Sequence, residues 1–256
     1  MIDLDKIYFE DCLEGMKRIP DMSIDAIICD LPYGYTACKW DMIIPFDPLW
    51  KQYLRVAKEN AAIVLFCNEP FTSALIMSQP KLFRQKLTWL KNRPTNVMNA
   101  KKQFMNWTED IAIFYRSLPT FNPQFWDDGT QVKTKVQHLH TDRNKGHMGK
   151  TGEREGFISV WGGNHRYPKS VLEFSNVNHG KDCLHPTQKP VDLIAYIIRT
   201  YSNEGDTILD NCMGSGTTAI AALRENRHFI GFENNAEYFE KASKRIELES
   251  QQLRLF

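Results

Sequence analysis

The sequence predicts an α/β fold, a mostly parallel sheet with helices on both faces. Two patterns carry that reading: apolar runs of strand length bounded by turn signals, and helical patterns that fall between most of them. A third observation agrees with it. Two runs, IDAIICD at 24–30 and DTILD at 206–210, stop on an acid beside a turn, as strands do at the ligand-binding edge of an open α/β sheet.

In chain order, KIYFE (6–10) is a short strand, and CLEGMKRI (12–19) has helical spacing. IDAIICD (24–30) and AAIVLFC (61–67) are nearly unbroken apolar runs, as strands buried on both faces are, with a helix, PLWKQYLRVAKE (48–59), between them. PFTSALIMS (70–78) is the next helix, and KLTWLK (86–91) and DIAIFYR (110–116) are the next strands. No helix separates those two, so one of them is expected to be antiparallel. After a long gap come the helix PVDLIAYIIRTYS (190–202), the strand DTILD (206–210), the helix TTAIAALREN (217–226), the strand HFIGFE (228–233) and the helix AEYFEKASKRIELESQQL (236–253). Seven strands result.

The gap holds a different kind of sequence. From about Ser117 to Gly163 the chain is rich in Asn, Asp, Gly, Gln, Lys and His, has little periodicity, and is too long for a connector. Phe121, Phe125, Trp126, Phe157 and Trp161 supply anchors that a disordered tract lacks. The expected organisation is residues 1–116 and 166–256 as two halves of one domain, with 117–165 inserted as a small module.

The chain has 256 residues, 42% hydrophobic and 25% charged, which suits one large domain with an insertion. No apolar run approaches the roughly 20 residues of a membrane span. MIDLDKIYFED lacks the regions of a signal peptide, so a soluble, cytoplasmic protein is expected. The six cysteines are scattered, and Cys29 and Cys67, at the ends of buried strands, are expected to be core residues. His138, His140 and His147 have no cysteine or carboxylate at a metal-finger spacing, and no metal site is expected. The net charge of +1 selects no partner, but its distribution does. Between Pro70 and Thr108 lie Lys81, Arg84, Lys86, Lys91, Arg93, Lys101 and Lys102 and no acid; Lys133, Lys135, Arg143, Lys145, Lys150 and Arg154 form a second basic cluster. Interleaved with Trp89, Trp107, Phe125 and Trp126, they favour a polyanion whose bases stack.

DTILDNCMGSGTTA (206–219) fits the G-x-G-x-x-A turn, in which glycines let the backbone approach a ligand that the helix N-terminus faces. Glu233, ending the next strand, can accept both hydroxyls of a ribose. A dinucleotide and S-adenosylmethionine both suit such a turn. A dinucleotide fold would begin with this unit, whereas here only one strand and one helix follow it. The N-terminal strands must complete the sheet, as in a circularly permuted fold.

IDAIICDLPYG (24–34) poses a chemical question, because its strand ends on a carboxylate followed by a rigid turn. The amino group of adenine or cytosine is a poor nucleophile, its lone pair delocalised into the ring. Asp30 and the backbone carbonyl of Leu31 can each accept one of its protons, drawing the nitrogen toward a tetrahedral geometry and stabilising the charge that develops on transfer. Tyr33 can stack on the base.

DLPY resembles the D-P-P-Y motif of the amino-methylating DNA methyltransferases, and DNCMGSGTT resembles their S-adenosylmethionine motif. HPTQKP (185–190) is similar to a segment typical of the beta group, whose order of catalytic motif, variable segment and cofactor motif this chain shares; RYPKSVLEF (166–174) resembles the lead-in to it, and Asp11 matches an acid near the cofactor's adenine. The resemblance covers about 1–116 and 166–248. It implies a seven-stranded, circularly permuted, Rossmann-like class I methyltransferase fold and site-specific methylation of adenine N6 in double-stranded DNA, with base flipping. Gly214, Ser215, Gly216 and Thr217 would cradle the methionine half of S-adenosylmethionine, Glu233 and Asn234 would lie at its ribose, and Asp11 and Cys12 near its adenine. Asp210, Asn211 and Cys212 close the cofactor strand. His185, Thr187 and Lys189 would line the methionine end, and Asp30, Leu31, Pro32 and Tyr33 form the catalytic motif. The 117–165 segment would read sequence, with Lys91, Arg93, Lys101, Lys102, Arg143, Lys145 and Arg166 on the nucleic acid, and the loop at 34–47, with Trp40, is a candidate lid.

Leu31 departs from the family's proline. If only its carbonyl matters, Leu31→Pro leaves turnover nearly intact. Asp at position 30 goes mostly with adenine in the family, with cytosine N4 as the alternative. An RNA or protein-amide methyltransferase, a dinucleotide-dependent oxidoreductase and a non-catalytic DNA-binding module are the other readings. A restriction endonuclease partner is left open, as is the choice of monomer or homodimer.

Overall fold

A computed structural model describes residues 2–35, 41–127, 165–176 and 188–253. Its elements are β1 (Lys6–Phe9), α1 (Cys12–Met16), β2 (Ile24–Asp30), α2 (Phe46–Val56), β3 (Ala57–Cys67), α3 (Phe71–Ser78), β4 (Phe83–Thr95), a 3₁₀ turn (Val97–Asn99), β5 (Asn106–Phe114), β6 (Trp126–Asp127), β7 (His165–Arg166), β8 (Val171–Phe174), α4 (Val191–Tyr201), β9 (Thr207–Asp210), α5 (Thr217–Arg224), β10 (His228–Glu233) and α6 (Ala236–Leu253). Eight strands form one sheet in the order β1-β10-β9-β2-β3-β5-β4-β8, and β6 pairs with β7 in a separate antiparallel ribbon.

β1, β10, β9, β2 and β3 are parallel, and β5 is the antiparallel member, pairing with β3 on one side and β4 on the other. The strand beyond the expected seven is β8, which runs parallel to β4 with Thr88 opposite Val171 and Lys91 opposite Phe174. Four residues at a half-exposed sheet edge carry too little apolar pattern to stand out in the sequence. The chain forms two compact units, Met1–Asn122 with Lys169–Phe256, and Pro123–Pro168.

The alternation of side chains along each strand divides the core between the two sheet faces. On β2, Ile27 and Cys29 join one cluster with Met16, Leu49, Tyr53 and Phe71 from α1, α2 and α3. Ala26 and Ile28 join the other with Leu193, Ile197, Ile220 and Ile246 from α4, α5 and α6. Each fully buried Ile of this kind contributes about 1.5–3 kcal/mol. α1 starts where Asp11 caps it, its Oδ1 accepting from the backbone N–H of Leu13 at 2.9 Å and of Glu14 at 3.3 Å. α5 starts at Gly216, whose φ of +80° is a left-handed conformation that favours glycine.

Candidate active site

Because five strands run parallel, the residues at their C-terminal ends gather along one edge: Asp11 just past β1, Glu233 on β10, Asp210 on β9 and Asp30 on β2. A cavity of about 610 Å³ opens there. Its wall includes Asp11, Cys12, Asp210, Asn211, Cys212, Gly214, Ser215, Thr217, Glu233 and Asn234 from the expected cofactor set, and Asp30, Leu31, Pro32 and Tyr33 from the acid-ended turn.

The glycine turn is held from several directions. The N–H of Gly214 donates to Glu233 Oε2 at 2.7 Å, Glu233 Oε1 accepts from the Asn235 N–H at 2.8 Å, and Arg245 of α6 donates to the carbonyl of Ser215 at 3.0 Å. Gly214 and Gly216 both have positive φ. A Cβ on Gly214 would meet only the Cys212 carbonyl at 3.9 Å, so the turn has room on its open side. Burial raises the Glu233 carboxyl above its ordinary pKa. Asp210 is buried with Oδ1 accepting from the Cys212 N–H at 3.0 Å, and burial pushes its pKa up to about 6. Asn211 is clamped by the Tyr53 hydroxyl, which donates to Oδ1 at 2.5 Å.

At the other end, Asp30 has both oxygens engaged. Tyr33 donates its hydroxyl to Oδ1 at 2.7 Å, and Lys189 Nζ lies 2.6 Å from Oδ2. Lys189 also lies 2.8 Å from Glu109 Oε1, and Lys91 lies 2.9 Å from Glu109 Oε2. Asp30, Lys189, Glu109 and Lys91 thus alternate in sign. Burial raises the Asp30 pKa, with attraction to Lys189 the largest opposing effect and repulsion from Glu109 adding to the rise. Burial alone would raise Glu109 too, but Lys189 and Lys91 outweigh it and hold that carboxyl below its usual range. Lys189 keeps its proton, because its two acidic partners overcome the cost of burial. Asn176, just past β8, also lines the cavity, and its buried Oδ1 has no hydrogen-bond partner among the described residues. The Cys29 thiol beneath is pushed up to about 12 by burial and stays protonated, which does not suit a nucleophile.

The N6/N4 DNA methylase family model matches residues 24–244, most of the chain. The chain belongs to that family. The methylase is 32% identical over 262 residues to the Moraxella bovis protein named type II methyltransferase M1.MboII, the match covering 95% of this chain and 96% of the relative. It is 28% identical to the Escherichia coli DNA adenine methyltransferase YhdJ, over 94% of this chain and 82% of that protein. Among solved structures, the M1.HpyAVI–SAM complex superimposes with a TM-score of 0.61 at 23% identity, covering 94% of this chain and 98% of that one. PvuII DNA methyltransferase, titled cytosine-N4-specific, does so with a TM-score of 0.64 at 16% identity, over 96% and 90% of the two chains. These two share the fold.

Two cations of the methylase are paired with acids in the cavity wall. Lys91, expected on nucleic-acid phosphates, is buried with its Nζ 2.9 Å from Glu109 Oε2. Lys189, expected to line the methionine end, is in the cavity wall with its Nζ 2.6 Å from Asp30 Oδ2. Arg93, Lys101 and Lys102 are exposed away from the cavity wall, and Arg166 lies on β7 in the smaller unit. His185, Thr187, Arg143, Lys145, Trp40 and the three clustered histidines lie outside the described residues. Glu109 was not anticipated. Its signal was available, since an acid inside the strand sequence NWTEDIAIF (106–114) needs a buried partner or an exposed face.

Proposed function

We propose that this methylase transfers the methyl group of S-adenosylmethionine to the N6 amino group of adenine in double-stranded DNA, with the target base turned out of the helix into the cavity. The observation that carries the reading is the placement of Asp30 and the Leu31 backbone in the same cavity as the Gly214–Thr217 turn and Glu233. The residues present suit the cofactor: positive-φ Gly214 leaves room for close approach, Gly216 lets α5 start packed against Ala242 of α6, and an acid at the end of the adjacent strand can accept from ribose hydroxyls. When bound, S-adenosylmethionine supplies an electrophilic sulfonium methyl. Gly214, Ser215, Gly216 and Thr217 hold its methionine half, with His185 and Thr187 nearby, Glu233 and Asn234 its ribose, and Asp11 and Cys12 its adenine.

Asp30 and the Leu31 carbonyl accept the two N–H bonds of the target amine, localising its lone pair toward the methyl group. A carboxylate has about four acceptor sites, so Asp30 can hold Tyr33, Lys189 and the amine at once. Pro32 keeps Leu31 extended, and the Tyr33 ring, packed 5.3 Å from Phe71, presents a stacking face. As the new N–C bond forms and the methyl–sulfur bond breaks to leave a neutral thioether, positive charge appears on the nitrogen beside the Asp30 carboxylate, which stabilises it until the amine gives up its extra proton to solvent. No metal and no covalent enzyme intermediate are required.

Residues 117–165 read the sequence, with Arg93, Lys101, Lys102, Arg143, Lys145 and Arg166 on phosphates. The type II methyltransferase names of two relatives support a cognate restriction endonuclease as partner. A cytoplasmic location and a monomeric or homodimeric state complete the reading; no helix among the described residues is long and apolar enough to cross a membrane. The test is product identity: unmethylated genomic DNA is treated with methyl-labelled S-adenosylmethionine, digested and resolved. Label in N6-methyldeoxyadenosine supports the assignment, label in N4-methyldeoxycytidine transfers the same clamp to cytosine, and unlabelled DNA rejects both.

A further inference from the structure

The hairpin between β4 and β5 carries large apolar side chains into solvent. Phe104 is 100% exposed and Met98 99%, with Val97 61% exposed beside them. Side chains of this size on an ordered element mark a contact surface. The tip is ordered by its own backbone: Asn96 adopts φ +65°, its carbonyl accepts from the Asn99 N–H at 3.0 Å, and the Asn99 carbonyl accepts from Lys102 and Gln103 at 2.8 and 3.0 Å. Neither Phe104 nor Met98 is needed to hold that shape.

Charge and position identify the occupant. Lys101 and Lys102 stand between the two side chains in sequence, Arg93 lies at the hairpin's base, and no acid occurs from Pro70 to Thr108. The same two strands supply Trp89, Lys91, Thr95 and Glu109 to the cavity wall, and the tip begins one residue beyond Thr95, paired there with Asn106. A tip of ten residues (96–105) reaches at most about 17 Å past that pair at roughly 3.4 Å per residue. An apolar point within that distance of the base pocket, flanked by cations, matches what a duplex presents where a base has left its stack: an apolar gap between two anionic backbones.

We propose that this hairpin is a wedge, Phe104 and Met98 entering the gap left by the extruded base while Lys101 and Lys102 hold the flanking phosphates. The inference rests on the DNA-methylation reading and adds the surface that opens the duplex.

The test uses the full chain carrying Phe104→Ala and Met98→Ala together. Sequencing of DNA methylated by the wild type first locates the target site. Two duplexes containing it are then compared, one fully paired and one with an abasic position opposite the target base, where the stack is already open. The wedge predicts that the variant loses about tenfold or more in kcat/KM on the paired duplex and recovers most of it on the open one. It also predicts a weaker fluorescence rise from 2-aminopurine at the target position of the paired duplex. An equal loss on both duplexes, or none on either, overturns the proposal. So does a variant that sediments as a monomer where the wild type is a dimer and makes no distinction between the duplexes, since the tip would then join two copies of the chain. Failure of the wild type to methylate any DNA would reject the parent reading instead.

Discussion

Replacing Lys189 by Met removes the cation that joins two acids while keeping an unbranched side chain of similar length. Lys189 Nζ stands 2.6 Å from Asp30 and 2.8 Å from Glu109, and the Lys189 and Glu109 side chains are only 7% and 8% exposed, so solvent screens the pair little. At an effective dielectric of about 20, a contact of that length has a gross attraction of roughly 6 kcal/mol. After desolvation, removing one partner of a buried pair costs about 3–5 kcal/mol. The variant should therefore unfold in urea with a lower midpoint at unchanged slope, by an amount in that range, and Lys189→Arg should restore part of it. The catalytic consequence has a definite sign. Burial already raises the Asp30 pKa, and Lys189 is the largest effect holding it down. Without Lys189 the pKa rises further, Asp30 protonates at higher pH, and the acid limb of the kcat profile moves to higher pH. A variant as stable as the wild type, with its acid limb unmoved, would refute the claim that Lys189 governs the charge on Asp30.

Tyr33→Phe keeps the stacking face and removes the hydroxyl that bonds Asp30 at 2.7 Å and Glu109 at 3.1 Å, so single-turnover kinetics should slow by roughly tenfold with S-adenosylmethionine affinity unchanged. Leu31→Pro keeps the carbonyl but trims a side chain only 3% exposed, so turnover should stay within about twofold while urea stability falls by about 1–2 kcal/mol. Asp210, raised from 3.8 to about 6 by burial, binds its proton more tightly when folded, so its ionisation lowers stability as pH rises from about 4 to 6. Asp210→Asn should consequently be more stable than wild type at pH 7.5, by up to about 3 kcal/mol, with the gap closing toward pH 4 in paired urea titrations.

The sheet was legible because each of its long strands has its own apolar signature. IDAIICD and AAIVLFC can hardly be anything but buried strands, and the absence of a helix between the fourth and fifth runs announced the antiparallel β5. β8 was not legible, since VLEF is recognised as a strand only once β4 lies beside it. The cavity wall was read well wherever a residue sits at a strand end or in a glycine turn, because strand direction alone places it. The charge network was read poorly. The sequence puts Lys91 among phosphate-binding cations and Lys189 at the methionine end, and only the pairing of β4 with β5 and the entry of α4 bring them to Glu109 and Asp30. Leu31 divides the same way: its carbonyl could be assigned a task from the motif, whereas its burial depends on side chains from α2 and α3 across the sheet face.

The central claim is that Asp30 holds the amine that receives the methyl group. Its most direct measurement is label transfer from methyl-labelled S-adenosylmethionine to unmethylated DNA by the wild type and by Asp30→Ala, at equal folded concentration and saturating cofactor. The predicted result is labelled adenine with the wild type and at least a hundredfold slower labelling with Asp30→Ala, while cofactor binding persists. Equal labelling by the two proteins would contradict it.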